Sequence, residues 1–246
     1  LAGAVKDPAV GVRMAVVDAL GFTRSREATP ALVKGLEDEN PSIRQSAAVA
    51  LLYVADPASA GPLERLTKDA NDGVRFAATK TLGQLRDRST SGTLRGLLKD
   101  KFPEVRAEAA MALGNLGDPS AAPDLAAALG DAHERTRQEA ARALGNLGDK
   151  SAVSELSKLL KDPNRKVALT AAGALGRLGE KSGAQVAMES LKMGSLEEKV
   201  LAAEALGDIG DKAAVPDLRR AAGPTSPAPV QQAAQAALTK LGQPTK

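Results

Sequence analysis

A chain of 246 residues can bury a core of its own, and 26% charged against 43% hydrophobic residues excludes an intrinsically disordered polypeptide. The 33 basic and 30 acidic side chains leave a net charge of +3, with the signs interleaved and no Lys/Arg stripe, which argues against nucleic-acid binding. There is no cysteine, so disulfides and thiolate metal sites are excluded, and no run approaches the roughly 18 apolar residues of a membrane span.

Aromatic residues are scarce: no Trp, one Tyr and three Phe. Such a chain suits a fold of thin layers in which Ala and Leu make close contacts. Leu20, Leu51, Leu82, Leu113, Leu144, Leu175 and Leu206 stand 31 residues apart, and Gly follows this anchor Leu in six of the seven copies. The register divides the chain into a partial first repeat (1–24), full repeats (25–55, 56–86, 87–117, 118–148, 149–179, 180–210), a C-terminal capping repeat (211–242) and a tail (243–246). All are expected to form one domain.

Leu1 aligns with Leu32, so the chain is expected to open inside a first helix, with the native product extending further upstream. Each full repeat then reads as two helices. An acid after a Gly caps the first helix, as at Asp118 before Pro119, Asp149, Glu180 and Asp211. In the best-defined copies the second helix spans 104–116 and stops at Gly117, and the next first helix spans about 120–129. Val105, Ala109, Ala112, Leu113 and Leu116 make one apolar stripe. One repeat cannot bury that stripe alone, so the predicted fold is an all-α solenoid of about eight stacked helix pairs. The last copy is centred on Leu238, one residue late, behind a Pro-rich loop at 224–229.

The phrase Val105-Arg106 … Ala109-Ala110-Met111-Ala112-Leu113-Gly114-Asn115-Leu116-Gly117-Asp118 resembles the short HEAT-like repeats named after phycobilin lyases, over essentially the whole chain. The resemblance implies an α-solenoid. It implies no single function, because lyase subunits, hydroxylases, DNA glycosylase relatives and adaptors share the repeat. The di-iron hydroxylases of this kind carry His-Glu pairs just after Val-Arg; here those slots hold, for example, Gln45-Ser46 and Gln138-Glu139, and the one His-Glu pair, His133-Glu134, falls in a turn. The glycosylase relatives use aromatic and basic side chains in a cleft, and this chain has no Trp and no basic stripe. A lyase role implies a partner subunit and a pigment pocket, with no catalytic residue to match.

Two recurrent features remain. Arg13, Arg44, Arg75, Arg106 and Arg137, with Asp38, Asp69, Asp100, Asp131 and Asp162, form ladders expected to bridge neighbouring repeats and fix their register. The positions six before, two before and two after the anchor Leu share one helix face, and the repeat leaves them free to vary. That face is expected to line a concave binding surface: Met14, Phe22, Val49, Tyr53, Phe76 and Met111 as an apolar groove, flanked by a polar middle of Gln84, Asn115, Gln138, Arg142 and Asn146, with Lys80 on the same face. Aromatic, Met and Arg side chains are the types enriched at interfaces.

With no His/Asp/Ser set, no Cys and no Gly-rich phosphate loop, the sequence predicts no enzyme, no metal and no cofactor. It predicts a scaffold holding an unknown protein or peptide. A lyase-like subunit binding a small molecule or pigment is the alternative, and nucleic-acid binding a further one. The absence of cysteine leans slightly toward an exported protein.

Overall fold

The computed structural model describes residues 2–243, among which every regular element is a helix. The expectations for Leu1 and for 244–246 lie outside the described residues. The chain divides into two compact units, Leu1–Ala121 and Ala122–Lys246.

In the N-terminal unit, the second helices α1 (Val10–Thr23), α3 (Pro41–Val54), α5 (Asp72–Leu85) and α7 (Pro103–Leu116) pack side by side in chain order. The short first helices α2 (Thr29–Gly35), α4 (Ala60–Leu66) and α6 (Ser91–Leu97) each pack against the second helix that follows them. The C-terminal unit repeats the plan. Its second helices are α9 (Glu134–Leu147), α11 (Arg165–Arg177), α13 (Leu196–Ile209) and α15 (Ala228–Lys240), and its first helices are α8 (Ala122–Ala128), α10 (Val153–Lys158), α12 (Ala184–Met193) and α14 (Val215–Ala221). This is an all-α solenoid built of helix pairs.

The anchor leucines carry the core. Leu51, Leu82, Leu113, Leu144, Leu175 and Leu206 are wholly buried, as are the first-helix residues Leu32, Leu63, Leu94, Leu125 and Leu156. Truncating one such Leu to Ala costs about 2–5 kcal/mol. Small residues set the spacing between second helices. A Cβ on Gly83 would lie 2.7 Å from the Ala112 Cβ, and one on Gly145 would lie 2.8 Å from that of Ala174, so adjacent backbones approach too closely for any side chain there.

Most first helices are entered through one 3-10 turn capped by an acid. Asp56, Asp87, Asp149 and Asp211 each accept the N–H two residues on, and Asp118 does the same from Ser120 at 3.0 Å. Glu180 corrects the expectation of a cap. Its own N–H closes the end of α11 onto the Leu175 carbonyl at 2.9 Å, behind the left-handed Gly179, and α12 begins only at Ala184. The left-handed stop itself recurs at every 31st residue, but not always as Gly: Arg24, Ala55 and Arg86 adopt φ of 51–53° where Gly117, Gly148, Gly179 and Gly210 stand in later repeats.

Candidate functional site

The repeat carries two recurrent sets of side chains, one buried in pairs and one lining clefts. At the turn between helices lies the Arg/Asp ladder. Arg13 Nε donates to Asp38 Oδ2 at 2.7 Å, and its second nitrogen donates to Oδ1 at 3.1 Å. The same two-pronged pairing joins Arg44 to Asp69, Arg75 to Asp100 and Arg137 to Asp162. The remaining guanidinium nitrogen holds carbonyls of the turn just before it, Asp38 and Glu39 in the case of Arg44. Arg106 grips the Asp100 and Lys101 carbonyls in the same way. Each Asp also accepts the N–H two residues on, including Asp131 from His133 at 2.8 Å.

These side chains are far from solvated: Arg75 and Asp100 retain only 6% and 8% of their exposure. Burial is the largest influence on Asp38, Asp69, Asp100 and Asp162 and pushes their carboxyls up. The Arg hydrogen bond, the turn N–H and the Arg charge together outweigh it, and all four are held below the ordinary carboxylate value. In these four pairs the guanidinium forks and carboxylate oxygens are taken up by neighbouring repeats, as a structural contact requires.

The variable face is different. In the N-terminal unit Phe22 is 85% exposed and Tyr53 56%, with Val49 exposed between them. They line a cleft of about 730 Å³ across α1 and α3 together with Asp18 and Gln45. The sequence reading missed Ser42, Ser46 and above all Arg24, which completes this cleft. Arg24 takes the left-handed position ending α1, and its guanidinium lies over the Tyr53 ring, 5.9 Å from the centroid. The recurrence of that stop every 31 residues was the one signal that could have marked it.

A second cleft, of about 280 Å³, gathers Tyr53, Lys80, Gln84, Met111 and Asn115 beside Leu52 and Glu108. Met14 and Phe76 are half-buried, and neither lines the two clefts. In the C-terminal unit Asn146 is exposed, while Gln138 donates to the Thr170 hydroxyl at 3.2 Å and Arg142 pairs with Glu139 at 3.3 Å. Further along, Asp208 is shared by Arg177 and Lys240. Apolar rings face outward in one unit, and polar groups satisfy one another in the other.

Among the described residues no three His, Asp or Glu side chains gather as a metal would require, and no helix is long and apolar enough to cross a membrane. The single His133 stands at the N-cap position of α9 with no side-chain capping hydrogen bond, its backbone N–H donating to Asp131.

Comparison with known proteins places these features in a family. The HEAT-repeats family model matches residues 1–82, 59–136 and 123–199, and the PBS lyase HEAT-like repeat matches 199–223. No curated protein sequence matches. Among solved structures, a chain from the complex of CpcE and CpcF of phycocyanin lyase from Nostoc sp. PCC7120 is 25% identical, with a TM-score of 0.68 over 87% of this chain and 86% of that one. YIBA of Escherichia coli is 21% identical, with a TM-score of 0.68 over 98% of this chain and 91% of that one. An engineered protein is 23% identical, with a TM-score of 0.57 over 99% and 78%.

The first of these overturns the expectation that the chain is no enzyme. That expectation rested on the lack of a catalytic set within one chain, whereas a chain from a phycocyanin lyase complex shares the fold, and residues 199–223 here match the PBS lyase HEAT-like repeat. This chain belongs to the HEAT-repeat family.

Proposed function

We propose that the chain is a binding scaffold that holds a protein segment on the second-helix face of its N-terminal unit. The observation that carries the reading is the outward placement of Phe22, Val49 and Tyr53 around one cleft, in a chain with only four aromatic residues. Leaving Phe22 at 85% exposure contributes nothing to the core, so its area is available to a partner. Arg24 stacked on Tyr53 and Asp18 at the rim add directional groups around an apolar floor. The occupant that fits is a segment presenting one large apolar side chain to the rings.

The test is capture from source-cell extract by the native chain and by a Phe22→Ser/Tyr53→Ser variant. Phe76 is left intact because it is half-buried. The expected result is a protein held by the native chain and lost with the variant, at unchanged helical content. Equal capture by both would overturn the reading.

A second reading has its own support: the likeness to a phycocyanin lyase chain, and a cleft volume within the range of small-molecule sites. Under it, the same cleft takes part of a pigment-sized ligand while a partner chain supplies the rest. A coloured or small-molecule species that co-purifies with the native chain and is absent from the variant would favour it.

A further inference from the structure

The Arg/Asp ladder breaks in the C-terminal unit, and the break leaves a cation behind. Counting on by 31 residues from Arg137, the ladder cation becomes Ala168 and then Lys199. Counting on from Asp162, the ladder acid becomes Met193 and then Pro224. Lys199 therefore keeps the charge of the ladder without the carboxylate that elsewhere takes it up at 2.7–2.8 Å. It is half-buried and pairs with no acid among the described residues.

Lys199 lines a cleft of about 330 Å³ between α12, α14 and the start of α15. Lys192 and Arg220 are the other cations of the cleft, Thr225 and Ser226 bring hydroxyls, and the one acid is Asp217. That acid is already engaged, by Lys192 at 2.9 Å and by Arg220 at 3.3 Å. Three cations face one carboxylate, a surplus of two positive charges. At the rim α15 begins with no side-chain cap and no acid in its first turn, whereas α13 opens on the full capping box of Ser195 and Glu198. The orphan N–H groups of that first turn add to the positive potential. Buried Leu191, Ala221 and Val230 make an apolar wall.

We propose that this cleft binds a small-molecule phosphate monoester, its phosphoryl group on Lys199 and Arg220 and its organic part against Leu191 and Val230. A phosphate monoester carries about −1.5 to −2 charges near neutral pH, which matches the surplus, whereas a carboxylate would leave one positive charge unanswered. Ammonium, guanidinium, hydroxyl and helix N-terminus are the donors that phosphate oxygens accept from. The volume is more than a bare phosphate fills and falls at the low end of small-molecule sites, which run about 300–1,000 Å³. The cleft lies wholly within the C-terminal unit and is independent of the reading given to the ring-lined one.

The probe is phenyl phosphate, titrated against the full isotope-labelled chain by amide NMR at a fixed ionic strength of about 0.15 M. Saturable shifts are expected around Lys199, residues 224–227 and the first turn of α15, with inorganic phosphate weaker at the same amides and benzoate not saturating. Lys199→Gln should weaken binding about tenfold, the weight of one charge-assisted hydrogen bond, and Lys199→Arg should keep it. Arg220 is 77% exposed, so Arg220→Gln removes a donor at no cost to the fold and should also weaken binding. Asp217→Asn should tighten it. Three results would overturn the proposal: no saturation up to about 10 mM phenyl phosphate, affinity indifferent to Lys199→Gln and Arg220→Gln, or benzoate or inorganic phosphate bound as tightly as the ester.

Discussion

Ala55 ends α3 with φ at 52°, in the left-handed region where a Cβ crowds the following carbonyl. Gly117 holds the equivalent place with φ at 65° and open space where a Cβ would stand. Ala55→Gly should therefore raise stability by about 1 kcal/mol, after the added freedom of the unfolded chain is counted. Urea unfolding at neutral pH reads this out, and a lower midpoint for the variant would contradict the strain assigned to Ala55. The same positions mark a limit of sequence reading. Gly117 announced its turn, but Arg24, Ala55 and Arg86 adopt the same turn with residues that do not advertise it, because the packing of the repeat overrides local preference. Arg24 was missed as a cleft residue for that reason. Its side chain reaches Tyr53 from a backbone conformation that composition does not predict.

Between elements, the ladder converts a repeated sequence into a fixed stacking register. Asp38, Asp69, Asp100 and Asp162 all have depressed folded values, so their contribution is present above the unfolded carboxylate value of about 3.9 and is lost as pH falls through the folded values. The urea midpoint should stay level from pH 7 to about 5 and fall below that. Asp69→Asn should lower the plateau and flatten the acid limb, and an acid limb as steep as in the native chain would remove the ladder as its source. The spacing of Arg and Asp was legible from the repeat; their burial was not. Nor was the detour where the ladder fails. With Ala168 and Met193 in the Arg and Asp positions, Arg165, one helical turn earlier, donates to the Ser190 hydroxyl at 2.7 Å, again across 25 residues. Met193 is left 87% exposed.

For the molecule as a whole, the 31-residue register made the helix pairs, their anchors and their shared face readable, since each repeat obeys the same packing demand. What differs between the units lies in the freely varying positions: exposed rings in the N-terminal unit, and paired polar groups in the C-terminal one. Those positions escape the constraint of stacking, so periodicity cannot say which of them form a cleft. Phe76 shares its register with Met14 and Gln45, yet it is half-buried and outside both clefts. The most direct measurement is photo-crosslinking in source-cell extract with p-benzoylphenylalanine placed singly at position 22, 53 or, as a control on the first-helix side, at the exposed Lys34. A binding face made by the second helices requires one protein crosslinked from positions 22 and 53 and none from 34; equal crosslinking from all three, or from 34 alone, would contradict it.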